Sequence, residues 1–275
     1  MIFAAGLGTR LKPITDTLPK ALVPVYGKPL LQHVMTRLSK VKNQNGAPLI
    51  DGFVVNVHHF SEKILAWLDG RDVQSWEEGK TLEPKSGIDL PVDVSDESEL
   101  LLETGGAIIH ARRYLDGYGS FLIHNVDIFS NADLSWFASQ VRKESLATLL
   151  VSRRETSRFL LFSPEDMRLV GWHNVGTGDF HLSDPSLRIE DCLAYGFSGI
   201  HIMSDRVFDM MEEYIKEKGL PADEVNGTRF PIMNFYMWVS SRQPIHGVVA
   251  ADLEFLDVGK LDTLEKAEDF IRWHA

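Results

Sequence analysis

Short apolar runs alternate with amphipathic segments of helical period along the first part of the chain. Segments such as 51–59 and 120–129 each contain short apolar runs, whereas 29–41 repeats apolar side chains at the spacing of one helical face. A helix between two successive strands carries the chain back across the sheet, so that the two strands run parallel. The alternation over roughly residues 1–155 therefore predicts an α/β fold, with a doubly wound, mainly parallel (mixed) sheet and helices on both faces.

The same patterns give approximate bounds for each predicted element. The predicted strands are 1–5, 51–59, 91–94, 120–129, 146–154, 195–203 and 253–259, and a hairpin joins 158–162 to 167–173. The predicted helices are 29–41, 61–68 (capped by Ser61), 105–115, 133–144, 205–218, 230–241 and 262–273. Because no internal repeat and no clear linker interrupts the chain, we predict a single domain over residues 1–275 with a less regular second part.

Composition limits the class of protein. The net charge of −11 disfavours a general nucleic-acid binder, because binding to phosphate backbones favours basic surfaces. The single cysteine, Cys192, excludes an internal disulfide and a cysteine-based zinc site, which suits a reducing compartment. No apolar run reaches the ~18 residues that a membrane span needs, and the amino terminus lacks the pattern of a secretory signal. We therefore predict a cytoplasmic protein that binds neither nucleic acid nor a membrane, and the sequence leaves its oligomeric state open.

The segment 4–25, AAGLGTRLKPITDTLPKALVPV, follows an apolar start and combines glycines with cations. Gly6 and Gly8 permit positive φ angles and a close approach of the backbone to a ligand, so that successive N–H groups can converge on an anion. Arg10 adds a forked donor and Lys20 a point charge, and the intervening prolines stiffen the segment. The segment therefore predicts an anion-binding site.

Two familiar phosphate-binding loops do not fit this segment. The Walker A loop needs Gly-Lys followed by Ser or Thr, and the segment has no such sequence. The dinucleotide fingerprint needs a third glycine where this chain has Leu11, and it needs a helix that begins at once, which Pro13 disfavours. These departures disfavour an NAD-binding dehydrogenase.

Five blocks of sequence together resemble the sugar-1-phosphate nucleotidyltransferases. They are the glycine-rich segment with its continuation GKPL (27–30), LETGGAI (102–108), HNVDIF (124–129), YGFSGI (195–200) and LDVGKLDTLEKA (256–267). The resemblance covers nearly the whole chain and implies the family's Rossmann-like fold, with about 1–155 binding the nucleotide and about 156–275 the sugar phosphate. It also implies that the partners are a nucleoside triphosphate and a sugar 1-phosphate, which react to give a nucleotide sugar and pyrophosphate.

The resemblance assigns roles to the residues that match the family's blocks. It implies that Arg10 and Lys20 are catalytic, since they would neutralise charge on the phosphates during an in-line attack. It implies a Mg²⁺ cofactor held by Asp127 and Asp257, whose carboxylate oxygens are ligands that Mg²⁺ prefers. The implied nucleotide-binding residues are Ala5, Gly6, Gly8, Thr9, Glu103, Gly105 and Gly106, the last two through bare backbone where a helix opens. The implied sugar-side residues are Asn125, Tyr195 and Gly199.

Several hypotheses about the substrate and the activity remain open at this point. Within the family, the LETGG block and the short chain favour UTP with N-acetylmuramate 1-phosphate, a reaction of peptidoglycan recycling, over GTP with mannose or heptose 1-phosphate. Val126 stands where the family usually has a small residue, and Lys260 stands where a small or hydroxyl residue is common. These two departures leave open a protein of another class, a non-catalytic regulatory protein that binds nucleotide sugars.

The histidines do not have the spacing of a zinc site. His58 and His59 are adjacent in a predicted strand and therefore point to opposite faces of the sheet. No HExxH sequence is present. We predict that His58, His59 and His124 are structural or lie near the ligand, and that they are not zinc ligands.

Overall fold

The computed structural model describes residues 1–221 and 227–274. Its strands are β1 (Ile2–Phe3), β2 (Pro24–Val25), β3 (Lys28–Pro29), β4 (Phe53–Val57), β5 (Val92–Asp96), β6 (Ser120–Asn125), β7 (Ile128–Ser130), β8 (Ala147–Ser152), β9 (Arg158–Phe162), β10 (Leu169–Asn174), β11 (Phe180–Leu182), β12 (Leu193–Ser204), β13 (Ile245–Val249) and β14 (Phe255–Asp257). Its helices are α1 (Leu30–Ser39), α2 (Ser61–Leu68), α3 (Glu103–His110), α4 (Arg112–Leu115), α5 (Leu134–Ser139), α6 (Val207–Lys218), α7 (Ile232–Val239) and α8 (Leu261–His274). Among these described residues, no helix combines the length and the apolar character that crossing a membrane requires.

The chain forms two compact units that interleave along the sequence. The first comprises Met1–Leu101, His124–Ser135 and Glu254–Ala275, and the second comprises Leu102–Ile123 and Trp136–Leu253. Because these segments alternate along the chain, no single cut such as the one predicted near residue 155 separates the units. The single domain and the roles expected for its two halves stay predictions.

The first unit contains a parallel sheet built on β1. Ile2 of β1 pairs with Val55 of β4 on one side and with His124, near the end of β6, on the other. Strand β5 continues the sheet beyond β4, and all of these pairs are parallel. Every residue of β4 is buried, as expected for a strand covered on both faces. This part of the predicted parallel sheet is confirmed.

The second unit contains a mainly antiparallel sheet. Strand β12 pairs with both β8 and β9 and runs antiparallel to each, while β13 pairs with β8 in parallel. Strands β9, β10 and β11 follow one another in antiparallel order, which confirms the predicted hairpin between 158–162 and 167–173. The α/β class and the mixed sheet are therefore confirmed.

Two predicted elements are each divided in the structure. The predicted strand 120–129 is β6 followed by β7, because the chain turns at Val126 and Asp127. There the carbonyl of Asp127 accepts a hydrogen bond from the Val258 N–H at 2.8 Å. The predicted helix 105–115 is α3, which begins two residues earlier at Glu103, followed after Ala111 by the short α4.

Other differences have local causes. Ser61 is the first residue of α2 and not its cap; the cap position is Phe60, whose φ is +52° and whose side chain makes no capping bond. Strand β13 was not predicted, because His246 and Gly247 interrupt its apolar run. A Cβ at Gly247 would lie 2.7 Å from the Phe162 ring, so glycine allows a close approach here that a periodic pattern does not reveal.

Candidate active site

The glycine-rich segment leaves the sheet at the end of β1 and folds back on itself. Gly8 has a φ of +65°, which glycine adopts without strain. Its carbonyl accepts hydrogen bonds from the Leu11 N–H and from Thr15 Oγ1, each at 2.8 Å. A Cβ at Gly8 would lie 2.8 Å from Thr15 Cγ2 and 3.0 Å from Lys20 Cβ. The loop therefore packs directly on the segment that carries Lys20, and no larger residue than glycine fits there.

The tip of this loop offers backbone donors. Gly6 and Leu7 are exposed, and Ala5 is buried at the base of the loop. Within residues 1–221 and 227–274, no hydrogen bond occupies the N–H groups of Gly6, Leu7 and Gly8. Successive N–H groups of this kind bind anions. Thr9 is also exposed, immediately after this run of free donors.

Lys20 and Asp127 form an ion pair with little access to solvent. Lys20 Nζ donates to Asp127 Oδ2, and the two side chains are 11% and 15% exposed. Pro19 is extended before Lys20, and the turn that follows buries Ala21 and Leu22, which fixes the direction of the lysine. Because the pair is largely removed from water, its attraction is screened less than that of a surface pair.

Arg10 and Asp257 lie side by side in a more open position. Arg10 Nη2 is 3.7 Å from Asp257 Oδ2, with side chains that are 53% and 44% exposed. The Gly259 N–H donates to Asp257 Oδ1 at 2.8 Å. A Cβ at Gly259 would lie 2.6 Å from both Arg10 Nη2 and Asp257 Oδ1. A larger residue at this position would force one of the two charged side chains to move.

The two aspartates are brought together by the pairing of β7 with β14. Ile128, the neighbour of Asp127, pairs with Asp257 in antiparallel register. The hydrogen bond from the Val258 N–H to the Asp127 carbonyl extends this pairing by one step. Lys20, Asp127, Arg10 and Asp257 therefore form one cluster within the first unit, beside the loop with the free N–H groups.

The neighbouring residues of β6 add no further charge to the cluster near neutral pH. Asn125 is half-buried at the end of β6 and pairs with Phe3 of β1. Burial lowers the pKa of His124 to about 4, and the charge of Arg37 lowers it further while Asp127 opposes the change. His124 Nδ1 lies 2.7 Å from the Asn125 carbonyl oxygen. Because His124 is neutral at this pKa, it adds no charge beside the two cations and the two carboxylates near pH 7.

Two of the predicted nucleotide-binding glycines lie inside a helix and not at its start. Gly105 and Gly106 lie in the second unit as the third and fourth residues of α3, so they do not open the helix. Their N–H groups donate to the carbonyl of Phe230 at 2.9 and 3.1 Å. These two N–H groups are therefore occupied by Phe230, and the nucleotide-binding role of Gly105 and Gly106 stays a prediction. Glu103 has a φ of +60°, and its Oε1 accepts a hydrogen bond from Arg229 Nη2 at 2.9 Å.

The predicted sugar-side residues of the second unit lie on β12. Tyr195 is 7% exposed, and its ring centroid is 6.2 Å from that of Phe162. Gly199 has a φ of +77° where the pairing of β12 with β8 shifts register between Phe197 and His201. A β-bulge with positive φ requires a glycine for backbone reasons alone. The roles of Asn125, Tyr195 and Gly199 in sugar binding stay predictions.

The two departures from the family pattern have local explanations. Val126 is 3% exposed and its N–H donates to the Phe3 carbonyl at 3.2 Å, so its bulk lies in the interior of the unit. Lys260 is exposed immediately before α8, and its carbonyl accepts from the Thr263 N–H at 3.2 Å and from Thr263 Oγ1 at 2.9 Å. Lys260 therefore starts a helix, and its side chain reaches solvent.

The histidines of β4's end have protein partners. His58 Nδ1 lies 2.6 Å from the Glu97 carbonyl oxygen, and the ring of His59 is 4.1 Å from the ring of Phe60. Across the described part of the chain, no group of three or more His, Cys, Asp or Glu side chains is placed to hold a metal. A metal at Asp127 and Asp257 would therefore complete its coordination with atoms from outside these side chains.

Sequence reasoning missed residues that support the cluster from behind. Thr15 holds the carbonyl of Gly8, and Gly259 makes room for Arg10 and Asp257. Asn56 is 3% exposed and accepts a hydrogen bond from the Ala4 N–H at 2.8 Å. Asn56 had a visible signal, since it is the one polar residue in the apolar run FVVNV. Nothing in the local sequence distinguishes Thr15 from an ordinary turn residue.

Comparison with known proteins finds related sequences over much of the chain. A sequence model of the family described as Nucleotidyl transferase matches residues 1–160. N-acetylmuramate alpha-1-phosphate uridylyltransferase of Caulobacter vibrioides is 41% identical over 127 residues, which are 46% of this chain and 44% of that protein. The chain thus aligns with less than half the length of this relative. The protein of the same name from Neisseria meningitidis serogroup B is 32% identical over 216 residues, which are 77% of this chain and 78% of that protein.

Solved structures support the fold over almost the whole chain. HddC from Yersinia pseudotuberculosis, complexed with GMP-PN, superimposes with a TM-score of 0.65 at 21% sequence identity. The superposition covers 98% of this chain and 97% of HddC, so the likeness concerns the complete fold. The matched family model extends over more than half of the chain, and the Neisseria relative aligns over most of both lengths. On these grounds the chain belongs to the nucleotidyl transferase family.

Proposed function

We propose that this protein transfers a uridylyl group from UTP to N-acetylmuramate 1-phosphate and releases pyrophosphate. The observation that carries the proposal is the cluster of Lys20 with Asp127 and Arg10 with Asp257 beside the free N–H groups of the glycine loop. Such a cluster suits a reaction that brings two highly charged phosphates together. The choice of UTP and of N-acetylmuramate 1-phosphate is supported by the two curated relatives that carry this activity in their names.

The proposed reaction needs alignment and charge neutralisation more than it needs a protein nucleophile. An oxygen of the sugar phosphate attacks the α-phosphorus of UTP and forms a new P–O bond. The bond from the α-phosphorus to the oxygen that bridges to the β-phosphorus breaks, and its electron pair leaves with pyrophosphate. The attacking oxygen is already an anion, so no general base is required. Positioned donors and cations can supply the remaining stabilisation.

Each residue of the cluster has a specific role in this proposal. The N–H groups of Gly6, Leu7 and Gly8 bind the triphosphate, and Ala5 and Thr9 flank them. Arg10 is open to solvent, so it can reach the departing pyrophosphate. Lys20 is held in a fixed direction and offsets charge at the reacting phosphates. Glu103, Gly105, Gly106, Asn125, Tyr195 and Gly199 are retained as candidates for base and sugar contacts.

Mg²⁺ fits the acidic side of the cluster. Asp127 and Asp257 supply hard oxygen ligands on adjacent segments, and each already attracts a cation, Lys20 or Arg10. Mg²⁺ in enzymes is commonly held by one or two carboxylates, with substrate phosphates and water as the other ligands. This coordination agrees with a site that offers two carboxylates and no third protein ligand among the described residues. When bound, the ion would neutralise negative charge on the phosphate oxygens.

The proposed substrates also bear on the cellular compartment of the reaction. UTP and sugar 1-phosphates are cytoplasmic metabolites, and the single cysteine, Cys192, suits a reducing compartment. We therefore propose a cytoplasmic enzyme of nucleotide-sugar synthesis.

The proposal is tested with a matrix of substrates. The purified chain is mixed with UTP, GTP, CTP or dTTP and with N-acetylmuramate, mannose, heptose or glucose 1-phosphate, with and without Mg²⁺. Pyrophosphate release is followed by a coupled assay. We expect the highest kcat/KM for UTP with N-acetylmuramate 1-phosphate, and we expect activity to be lost when Mg²⁺ is removed by a chelator.

Each other result of this matrix has a definite meaning. A preference for GTP with mannose or heptose 1-phosphate would contradict the proposed substrates but keep the reaction type. Tight binding of nucleotide without pyrophosphate release from any pair would contradict an enzyme and support a regulatory protein.

A further inference from the structure

The Asn56 side chain accepts the first backbone hydrogen bond after β1, at the point where the glycine loop begins. Strand β1 ends at Phe3, and the next N–H, that of Ala4, donates to Asn56 Oδ1 at 2.8 Å. Asn56 belongs to β4 and is 3% exposed, so this hydrogen bond is shielded from water. The asparagine side chain therefore determines the direction in which the backbone leaves the sheet.

Glu97 determines the orientation of the Asn56 amide. Glu97 Oε1 accepts a hydrogen bond from Asn56 Nδ2 at 2.8 Å, and Glu97 is itself 3% exposed. The Glu97 oxygen at this contact accepts the hydrogen bond, so it needs the NH₂ side of the amide and not the amide oxygen. The Asn56 NH₂ group must therefore face Glu97, which leaves Asn56 Oδ1 to face Ala4.

Glu97 is in turn held by the backbone beside β4. Its N–H donates to the Val57 carbonyl at 2.8 Å, and its carbonyl oxygen lies 2.6 Å from His58 Nδ1. These contacts fix Glu97 just after β5, next to the strand that carries Asn56. The chain of contacts from Glu97 through Asn56 to Ala4 is buried along its length.

The glycine loop is consequently anchored at both ends. Ala4 is held by Asn56 at one end, and Gly8 is held at the other end by Thr15 Oγ1 and by packing on Lys20. The residues between these anchors include the exposed Gly6, whose N–H is free within the described part of the chain. A loop that is ordered before its ligand arrives loses less conformational entropy on binding.

We propose that Glu97 and Asn56 are positioning residues, which hold the Ala4 N–H and so preorganise the free amides of the glycine loop for a triphosphate. This inference rests on the proposed function, since it takes the ligand of the loop to be a nucleoside triphosphate. It adds to that function a buried carboxylate and an amide that do not contact the reacting atoms.

The test exchanges the hydrogen-bond donor and acceptor between residues 56 and 97. In Asn56→Asp, one oxygen still accepts from Ala4, but the other has no N–H to donate to Glu97 Oε1. In Glu97→Gln, the side-chain oxygen can still accept from Asn56. In the double variant Asn56→Asp/Glu97→Gln, the glutamine NH₂ donates to the aspartate, so complementary contacts return.

Kinetics distinguishes positioning from a general loss of structure. For Asn56→Asp we expect KM for UTP to rise about tenfold, the effect of losing one buried hydrogen bond. We expect KM for the sugar 1-phosphate to change less than about twofold, and Glu97→Gln to resemble the wild type within about threefold. The double variant should regain most of the wild-type KM for UTP. A purely structural role would instead lower the active fraction, and thus the apparent kcat, with KM unchanged.

A matched control is available on the surface. Asn43 is exposed, and its Oδ1 accepts from the N–H groups of Asn45 and Ala47 at 2.9 and 3.0 Å. Asn43→Asp keeps these acceptors and has no buried carboxylate to oppose. We expect this variant to have the wild-type KM for both substrates.

Hydrogen exchange tests the inference without turnover, so that its failure can be told from failure of the proposed function. We expect Asn56→Asp to speed exchange of the Ala4 amide and of the loop about tenfold, and the double variant to restore protection. Wild-type exchange and KM in Asn56→Asp, or a double variant no better than this single variant, would overturn the inference. If the wild type shows no turnover in the substrate matrix, the exchange result still decides whether the anchor exists.

Discussion

At the scale of single residues, burial and orientation distinguish the two cations of the cluster. The Lys20 side chain is 11% exposed and is directed at Asp127 by the turn that follows Pro19. Arg10 lies in the same loop region but is 53% exposed, so solvent screens its charge. The lysine is therefore the more strongly constrained of the two cations, and its loss should have the clearer effect on the proposed reaction.

We expect Lys20→Met to lower kcat for the proposed reaction by about 100-fold or more, as removal of one preorganised charge donor typically does. Methionine keeps most of the length and apolar stem of lysine but carries no charge, so the substitution tests the charge itself. The measurement is steady-state pyrophosphate release from UTP and N-acetylmuramate 1-phosphate, with thermal unfolding recorded on the same sample.

Lys12 provides the matched control for this variant. It lies in the same loop region, is 60% exposed, and pairs with Asp16 at 2.8 Å on the surface. Exposed pairs contribute little, so Lys12→Met should change kcat less than about twofold. Equal kcat values for Lys20→Met and Lys12→Met would contradict the role assigned to Lys20.

At the scale of secondary structure, helix α3 depends on two glycines that let another segment approach it. A Cβ at Gly106 would lie 2.1 Å from the Thr228 carbonyl oxygen, and one at Gly105 would lie 2.3 Å from the Phe230 ring. The ring can rotate, but a backbone oxygen cannot move without its chain. The glycines of the LETGG block thus have a packing reason, whatever their part in binding.

We expect Gly106→Ala to lower the free energy of unfolding by about 2 kcal/mol, because the methyl group overpacks against backbone. This corresponds to a fall in Tm of about 4–8 °C. Gly176→Ala is the control in the same unit: its Cβ would lie 3.3 Å from the movable Asn174 side chain, and Gly176 is exposed. The control should change stability by less than about 0.5 kcal/mol. Equal Tm values for the two variants would refute this account of α3.

The elements that could be predicted from sequence are those whose cause is local. The apolar run 51–59 predicts β4, and the periodic run 29–41 predicts α1, because each signal lies within the element. The break between β6 and β7 could not be predicted, since it depends on a hydrogen bond from the distant Val258. The same holds for β13, whose Gly247 serves a contact with Phe162.

The candidate site likewise has parts that could be predicted from the sequence and parts that could not. Residue types in the blocks identify Arg10, Lys20, Asp127 and Asp257, but only the pairing of β7 with β14 shows that they form one cluster. A nucleotide contact through bare backbone was predicted at Gly105 and Gly106, and the partner of their N–H groups, Phe230, comes from a segment far along the chain. A single sequence contains no local trace of such a partner.

At the scale of the whole molecule, buried histidines make the free energy of unfolding depend on pH. His201 is 2% exposed, its Nδ1 contacts the Tyr236 hydroxyl, and burial lowers its pKa to about 3. Burial likewise lowers the pKa of His124 to about 4. In the unfolded chain, each histidine binds a proton as the pH falls below the ordinary histidine pKa of 6.5. In the folded chain, both histidines stay neutral at the same pH.

The sign of the effect on stability follows from these directions. Because the unfolded state binds more protons below pH 6.5, the free energy of unfolding should fall as pH falls from about 6.5 towards 5. The slope is at most about 1.4 kcal/mol per pH unit for each histidine. Ordinary carboxylates titrate mainly below this window. Burial also lowers the pKa of the Met1 amino group from 8.0 to about 5, which adds a dependence of the same sign, so the contribution of one histidine is measured as a difference between variants.

We expect His201→Gln to flatten this dependence by about 1–2 kcal/mol between pH 6.5 and pH 5, since glutamine has no proton to gain in either state. Urea unfolding at a series of pH values measures the slope, which a uniform loss from the missing Tyr236 contact leaves unchanged. His181→Gln is the control, because His181 is exposed on β11 and should leave the slope as in the wild type. If the wild type and His201→Gln lose stability equally across this range, burial of a neutral histidine does not limit the acid stability of this fold.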